Sequence, residues 1–126
     1  MPAPVLRNPA TIAVVDDDAA VRQAIDSLVR ALGYNALTFG SAEAFLLSRI
    51  TGLACLICDV QLPGISGIDL LARMSSEADI VPVILITAFP DASTERLARQ
   101  GIPVLLKPFI SETLALALAR TVVPPA

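Results

Sequence analysis

The sequence predicts an α/β domain in three layers, a doubly wound parallel sheet of five strands with helices on both faces. Short apolar runs, often β-branched, alternate along the chain with longer amphipathic segments, which is the order of βα units. The runs are apolar throughout, so both faces of the sheet are expected to be covered. Right-handed crossovers narrow the topology to a doubly wound sandwich, and 126 residues suffice for one such domain.

Three strands and two helices are predicted in the first half of the chain. The run TIAVV is apolar and β-branched, and helical periodicity follows it as far as Gly33, a typical helix-ending residue. Ser41 is expected to cap the second helix, which turns Ala42, Phe45 and Leu46 inward. The predicted bounds are strand 11–15, helix 18–32, strand 34–39, helix 41–48 and strand 53–58.

Two more strands and three more helices complete the pattern. The third helix is expected to begin at Ser66 or Gly67, and Ser111 is expected to cap the last helix. The remaining predicted bounds are strand 82–87, helix 91–100, strand 103–106 and helix 111–122. The proline-flanked ends, residues 1–10 and 123–126, are expected to be an N-terminal tail and a C-terminal tail or linker stub around a domain of residues 11–122.

Composition argues against several classes of protein. Hydrophobic residues make up 55% of the chain and charged residues 17%, which is typical of a compact globular domain. The net charge of −3 disfavours direct nucleic-acid binding, and no apolar run reaches the ~18–20 residues that span a membrane. The N-terminal segment does not resemble a signal peptide, so we expect a cytoplasmic protein.

Cys55 and Cys58 form a C-x-x-C sequence that could suggest a redox pair or half of a zinc site. Residues three apart in a strand point to opposite faces, with Cα atoms roughly 10 Å apart, beyond the ~7 Å limit of a disulfide. The chain also contains no histidine. We therefore expect two buried structural thiols.

Polar side chains stand at the carboxyl ends of four of the five predicted strands, where open parallel sheets bind ligands. They are Asp16 and Asp17, Asp59, Thr87 and Lys107. Carboxylates within ~5 Å repel one another by roughly 3 kcal/mol per pair, and a hard divalent cation removes that penalty. Oxygen ligands suit Mg²⁺, so the sequence predicts a magnesium site.

A carboxylate beside such a metal can act as a nucleophile toward a phosphoryl group. Asp16 and Asp17 are adjacent, as paired metal ligands are, whereas Asp59 stands alone on the strand expected at the centre of the sheet. We therefore expect Asp59 to be the acceptor, with Mg²⁺, Lys107 and Thr87 stabilising the transferred oxygens. The small residue after Thr87, Ala88, leaves room for the phosphoryl group.

The chain resembles the receiver domain of two-component response regulators over about residues 10–122. The resemblance rests on the segments VVDDDAAVR, LICDVQLPGISGIDLL, VILITA and LLKPF in this order. It implies a flavodoxin-like fold with strand order 2-1-3-4-5, a cis Lys107–Pro108 peptide, and a phosphohistidine of a partner kinase or phosphotransfer protein as donor. It assigns phosphate acceptance to Asp59, Mg²⁺ binding to Asp16, Asp17, Asp59 and the backbone carbonyl of Gln61, and phosphoryl contacts to Thr87 and Lys107, with Ala88, Phe89 and Pro108 as neighbours.

The chain departs from the family pattern on its fifth strand. The family's switch uses an aromatic side chain three residues before the lysine, where this chain has Val104. The segment GIPVLLKP also looks about one residue shorter than the common pattern. Our hypothesis is that the signal passes through Thr87 and the following AFPDAS loop, with Phe89 taking the aromatic part; Phe89 could equally shield the site.

Two alternative functions remain open at this stage. A small phosphatase of the haloacid-dehalogenase type also uses Asp, Thr and Lys at strand ends, but Ala20 stands where its D-x-D-x-T/V motif needs Thr or Val. A degenerate receiver would serve only as an interaction surface, and retention of the reactive side chains argues against it.

In the last helix, Leu114, Leu118 and Val122 should face the core. Leu116 and Ala119 then form a possible homodimer or effector face.

Overall fold

The computed structural model describes residues 10–74 and 81–122, and these form five strands and five helices in strict alternation. The strands are β1 Thr11–Val15, β2 Asn35–Phe39, β3 Cys55–Asp59, β4 Val83–Thr87 and β5 Val104–Leu106. The helices are α1 Ala19–Ala31, α2 Ala42–Ser48, α3 Gly67–Met74, α4 Ala92–Arg99 and α5 Ser111–Thr121.

The strands form one parallel sheet in the order β2-β1-β3-β4-β5, which confirms the predicted fold class. The chain starts in the middle of the sheet, moves to the β2 edge, and then crosses β1 to build the other half. The reversal of direction lies between β1 and β3. In doubly wound sheets, ligands bind beyond the carboxyl ends of the strands at this reversal.

Apolar side chains fill two layers, one on each face of the sheet. One layer packs α1 and α5 against the sheet, and the other packs α2 and α3. Every residue of β3 and β4 is buried, so these strands need helices on both sides.

The two thiols lie on opposite faces of β3, as the strand geometry predicts. Cys55 belongs to the α1 and α5 layer and Cys58 to the α2 and α3 layer, and both are free and buried. Burial raises the pKa of each thiol to about 12, because the thiolate would lose its hydration. The prediction of structural thiols is thus confirmed.

The predicted cap of α2 is confirmed and that of α5 is not. Asp18 accepts the backbone N–H groups of Ala20 and Val21 at the start of α1, and the Ser41 hydroxyl accepts from Ala44 N in α2. The prediction that Ser111 caps α5 is wrong. The cap residue is Ile110, which has no polar side chain to offer, and Ser111 is already the first helical residue.

Several predicted bounds also move by one or two residues. The strand β3 begins at Cys55 rather than at residue 53, and it includes Asp59. The strand β5 has 3 residues and lies at an edge of the sheet. The predicted tails, apart from residue 10, fall on residues 1–9 and 123–126, which lie outside the described residues. Within the part of the chain that the structure describes, no helix is long and apolar enough to cross a membrane.

Candidate functional site

The polar residues predicted at the strand ends meet at one rim of the sheet. Asp16 directly follows β1, Asp59 ends β3, Thr87 ends β4, and Lys107 directly follows β5. The strands are parallel, so their carboxyl ends share one edge. Asp16, Asp59 and Thr87 are almost completely buried, which is rare for aspartate unless it is paired.

Lys107 provides that pairing. Its Nζ donates to Asp59 Oδ2 at 2.7 Å and to Asp16 Oδ2 at 2.9 Å. The other oxygen of each acid accepts a backbone N–H, since Gln61 N donates to Asp59 Oδ1 at 3.0 Å and Asp18 N donates to Asp16 Oδ1 at 2.9 Å. Both carboxylates are therefore held in a fixed orientation.

Asp17 completes a cluster of carboxylates. One carboxylate oxygen from each of Asp16, Asp17 and Asp59 lies within 4.8 Å of the others, and Asp17 is exposed to solvent. These three acids and the ammonium of Lys107 leave two negative charges when all four groups are ionised. An oxygen-only donor set with that excess fits a hard divalent cation, so the cluster could hold a metal ion.

The pKa of Asp59 lies above its ordinary value, because burial removes water from the carboxylate and Asp16 adds like charge. The hydrogen bonds from Lys107 and from Gln61 N oppose this rise without cancelling it. For Lys107, burial by itself lowers the pKa, but the hydrogen bonds to Asp59 and Asp16 outweigh burial, and the pKa is raised. Lys107 therefore stays charged at neutral pH.

Thr87 is brought to the same rim, but its hydroxyl is engaged with a neighbouring loop. Thr87 Oγ1 donates to Gln61 Oε1 at 2.9 Å and accepts from Phe89 N at 3.0 Å. The side chain of Gln61 was not anticipated from the sequence, which pointed only to its backbone carbonyl. Gln61 and Thr87 are 26 residues apart, and nothing in their local sequences signals this contact.

The remaining predicted neighbours lie around the rim. Ala88 and Pro108 are exposed, and the Lys107–Pro108 peptide is cis, as predicted. The side chain of Phe89 is 72% exposed, so in this conformation it does not pack inward. Its part in a switch stays a prediction.

Two further contacts hold the loop after Asp59, and sequence reasoning missed both. Glu43 in α2 accepts from Ile65 N at 2.6 Å, and this hydrogen bond lowers the pKa of Glu43. At the start of α3, Gly67 N donates to Val60 O at 3.0 Å. A Cβ at Gly67 would overlap Asp59 O and lie 2.9 Å from Val60 Cα, so only glycine fits there. A glycine opening a helix is the one sequence signal that could have indicated this close approach.

Arg22 in α1 holds the backbone of Asp16, the other buried acid of the site. Its Nη1 donates to the backbone carbonyl of Asp16 at 2.6 Å. The same side chain approaches Gly40 at the end of β2, where a Cβ would lie 3.5 Å from Nη1. The end of β1 is therefore fixed by α1, and with it the start of the acidic loop.

Comparison with known proteins identifies the family. The response regulator receiver domain matches residues 12–119. The transcriptional regulatory protein FixJ of Bradyrhizobium diazoefficiens is 35% identical over 107 residues, which are 82% of this chain and 52% of FixJ. Response regulator protein TmoT of Ectopseudomonas mendocina is 37% identical over 109 residues, 83% of this chain and 49% of TmoT. The chain thus spans about half the length of these relatives.

Solved structures agree with this assignment. The response regulator receiver protein from Burkholderia phymatum is 38% identical, with a TM-score of 0.75 over 90% of this chain and 94% of that one. The BeF3-activated DrrB receiver domain is 28% identical, with a TM-score of 0.80 over 90% of this chain and 97% of that one. The chain therefore belongs to the response regulator receiver family and is a receiver domain of the signalling response regulators.

Proposed function

We propose that Asp59 accepts a phosphoryl group from a phosphohistidine on a partner histidine kinase or phosphotransfer protein, and that the modified domain controls a further partner. The observation that carries this proposal is the position of Asp59: a buried carboxylate held at 2.7 Å from the Lys107 ammonium, beside a cluster of acids. A buried acid with a fixed orientation and an adjacent cation is arranged for nucleophilic attack rather than for solvation.

In the proposed transfer, an oxygen of Asp59 attacks the phosphorus of the phosphohistidine. The new bond is P–O and the bond that breaks is P–N, whose electron pair leaves with the imidazole nitrogen, which then takes up a proton. Lys107 lies within hydrogen-bond distance of the attacking carboxylate and would contact an oxygen of the arriving phosphoryl group. Ala88 is small and exposed beside Thr87, which leaves room for that group.

Mg²⁺ is the metal that we propose for the acidic cluster, held by Asp16, Asp17, Asp59 and the backbone carbonyl of Gln61. When bound, it would neutralise the acids and draw charge from the phosphoryl oxygens. Asp16 is fixed by Arg22 and Asp18 before any ion arrives, whereas Asp17 is exposed and free to adjust. The cluster is thus largely preorganised for a small cation.

We propose that the phosphohistidine donor lies outside the residues of this chain, which contains no histidine. A groove of about 440 Å³ supports this proposal, since it is mostly apolar and is lined in part by Lys107 and Ala88. Its walls come from α1 and from the loop before α5: Val21, Ala24, Leu28, Pro108 and Phe109. We propose that the histidine-bearing partner covers this groove, which would exclude water during transfer.

The output is proposed to be a protein contact in the cytoplasm. Leu116 in α5 is 58% exposed, Ala119 is also exposed, and Leu114 and Leu118 face the core. A second copy or an effector partner would cover that apolar face. The functional unit is proposed to be residues 11–122. The relatives are about twice as long, so the activity of the whole protein depends on what this domain is joined to.

The proposal is tested by incubation with Mg²⁺ and acetyl phosphate, followed by intact mass spectrometry. The expected result is a gain of one phosphoryl group that is absent without Mg²⁺ and absent in Asp59→Asn. Asp69→Asn, an exposed acid on α3, is the matched control and should be modified like the native chain. Unmodified protein, or equal modification of Asp59→Asn, would contradict the proposal.

The comparisons give no support to the phosphatase alternative. The same proteins can be used to test it. Steady release of phosphate from a monoester such as p-nitrophenyl phosphate would favour that alternative. We expect no such turnover.

A further inference from the structure

Gln61 links the loop that follows the acceptor to the loop that follows Thr87. Its side chain is exposed, and an exposed glutamine ordinarily samples several rotamers. Here both ends of the amide make contacts, with Oε1 at 2.9 Å from Thr87 Oγ1 and Nε2 at 3.5 Å from Phe89 O. The second contact is long, so the first supplies most of the linkage.

The direction of these hydrogen bonds follows from the chemistry of the partners. Phe89 O can only accept, so the NH₂ end of Gln61 faces it and the carbonyl end faces Thr87. Phe89 N can only donate, and it donates to Thr87 Oγ1. The Thr87 hydroxyl must therefore give its proton to Gln61.

A hydroxyl has one proton, so Thr87 can donate only one hydrogen bond at a time. While Thr87 donates to Gln61, it has no proton to give to a phosphoryl group on Asp59. Forming that bond requires the Thr87 hydroxyl to release Gln61. The two hydrogen bonds are mutually exclusive.

We propose that Gln61 is a positioning residue whose side chain engages the hydroxyl proton of Thr87 and thereby sets how readily the domain takes up its phosphorylated conformation. The inference rests on the proposed function. It concerns the side-chain amide of Gln61, whereas the proposed metal ligand is the backbone carbonyl. A net hydrogen bond of ordinary strength corresponds to a roughly twofold to tenfold change in that equilibrium.

The test compares the native chain with Gln61→Met, which keeps the length of the side chain and removes both polar ends. Beryllofluoride with Mg²⁺ serves as the phosphoryl mimic, and the Phe89 amide signal in NMR reports the conformation. Gln61→Met should lower the beryllofluoride concentration at half-saturation by roughly twofold to tenfold. Gln100→Met, an exposed glutamine after α4, should leave it unchanged.

A second pair of variants separates this role from a purely structural one. Thr87→Val removes the hydroxyl, so adding Gln61→Met to it should have no further effect on half-saturation. An equal shift with and without the hydroxyl would overturn the proposal, as would a native-like midpoint in Gln61→Met alone.

The free protein gives a readout that does not depend on phosphorylation. Three-bond couplings report the side-chain rotamer of Thr87, and Gln61→Met should raise the share of the minor rotamer. An unchanged rotamer distribution would overturn the proposed role of Gln61. Failure of the native chain to bind beryllofluoride would instead count against the proposed function, while the rotamer measurement would still decide the role of Gln61.

Discussion

Asp59 is held in a site that burial makes unfavourable for a charge. At the scale of this residue, the rise in its pKa means that the folded protein binds a proton on Asp59 more tightly than the unfolded chain does. Ionisation at neutral pH therefore costs the folded state stability, and the cost develops as the pH rises above the ordinary range of aspartate. A site arranged for stability alone would not place a carboxylate there.

We expect Asp59→Asn to raise the midpoint of thermal unfolding, Tm, in metal-free buffer at pH 7.5. The amide removes the buried charge, and Lys107 keeps Asp16 as its partner at 2.9 Å. Asp17→Asn is the control, because Asp17 is exposed and should change Tm less. A lower Tm in Asp59→Asn than in the native chain would mean that its pairing with Lys107 outweighs the cost of burial.

With Mg²⁺ present, the native chain should have a higher Tm than Asp59→Asn, because Asp59 is one of the proposed ligands. A ligand that binds only the folded state stabilises it by mass action, so the native chain should gain about 2.7 kcal/mol when Mg²⁺ is at 100 times its dissociation constant. Asp16→Asn and Asp17→Asn, which each remove a carboxylate of the cluster, should gain less at the same concentration. Calorimetric scans with Mg²⁺ and with EDTA measure the difference, and equal gains in all three proteins would contradict the proposed ligands.

At the scale of single elements, the start of α3 and the strand β5 each have an unusual feature. The helix α3 begins against the backbone of Asp59 and Val60, an approach that a side chain at Gly67 would prevent. The strand β5 is short, and Val104 is half-buried where the family pattern has an aromatic side chain. The first feature fixes the backbone at Asp59, and the second is why we propose that Thr87 and its loop carry the signal.

Gly67→Ala should lower the free energy of unfolding by about 2–3 kcal/mol, the upper part of the usual cost of overpacking, because the added Cβ meets backbone atoms. Alanine ordinarily favours a helix over glycine, so the sign of this effect is diagnostic. Gly52→Ala is the comparison, since it meets no atom within 4 Å and is strained only by its φ of +74°; it should cost about 1–2 kcal/mol. Urea denaturation measures both, and a Gly67→Ala protein as stable as the native chain would refute the close approach.

At the scale of the whole molecule, the fold was predictable because it depends on local pattern. Apolar runs such as TIAVV and the buried β4 need two covered faces, and that requirement alone selects the layered sheet. The predicted strand ends then placed four polar residues at one rim, and this prediction needed no knowledge of side-chain contacts. The residues are Asp16, Asp59, Thr87 and Lys107.

Contacts between distant loops were not predictable in the same way. The hydrogen bond of Glu43 to Ile65 and that of Thr87 to Gln61 join residues 22 and 26 positions apart. No periodicity encodes such pairs, because they depend on how two loops approach after the sheet has formed. The cap at Ile110 was missed for a related reason: Ser111 has the favoured chemistry, but the turn places it inside the helix.

The apolar face of α5 leads to a prediction about assembly. If a second copy covers Leu116, beryllofluoride and Mg²⁺ should shift the molar mass in light scattering toward that of a dimer, and Leu116→Arg should abolish the shift. Leu47→Arg on α2 is the control, because Leu47 is 81% exposed on a different helix. A monomer under all conditions would rule out a second copy as the partner.

The central claim is that Asp59 is the residue that carries the phosphoryl group. Borohydride reduces an acyl phosphate to an alcohol, so it converts a phosphorylated aspartate into homoserine, which peptide mass spectrometry can locate. After treatment with acetyl phosphate and Mg²⁺, we expect homoserine at position 59 and nowhere else in the chain. Homoserine at position 16 or 17, or none at all, would contradict the account.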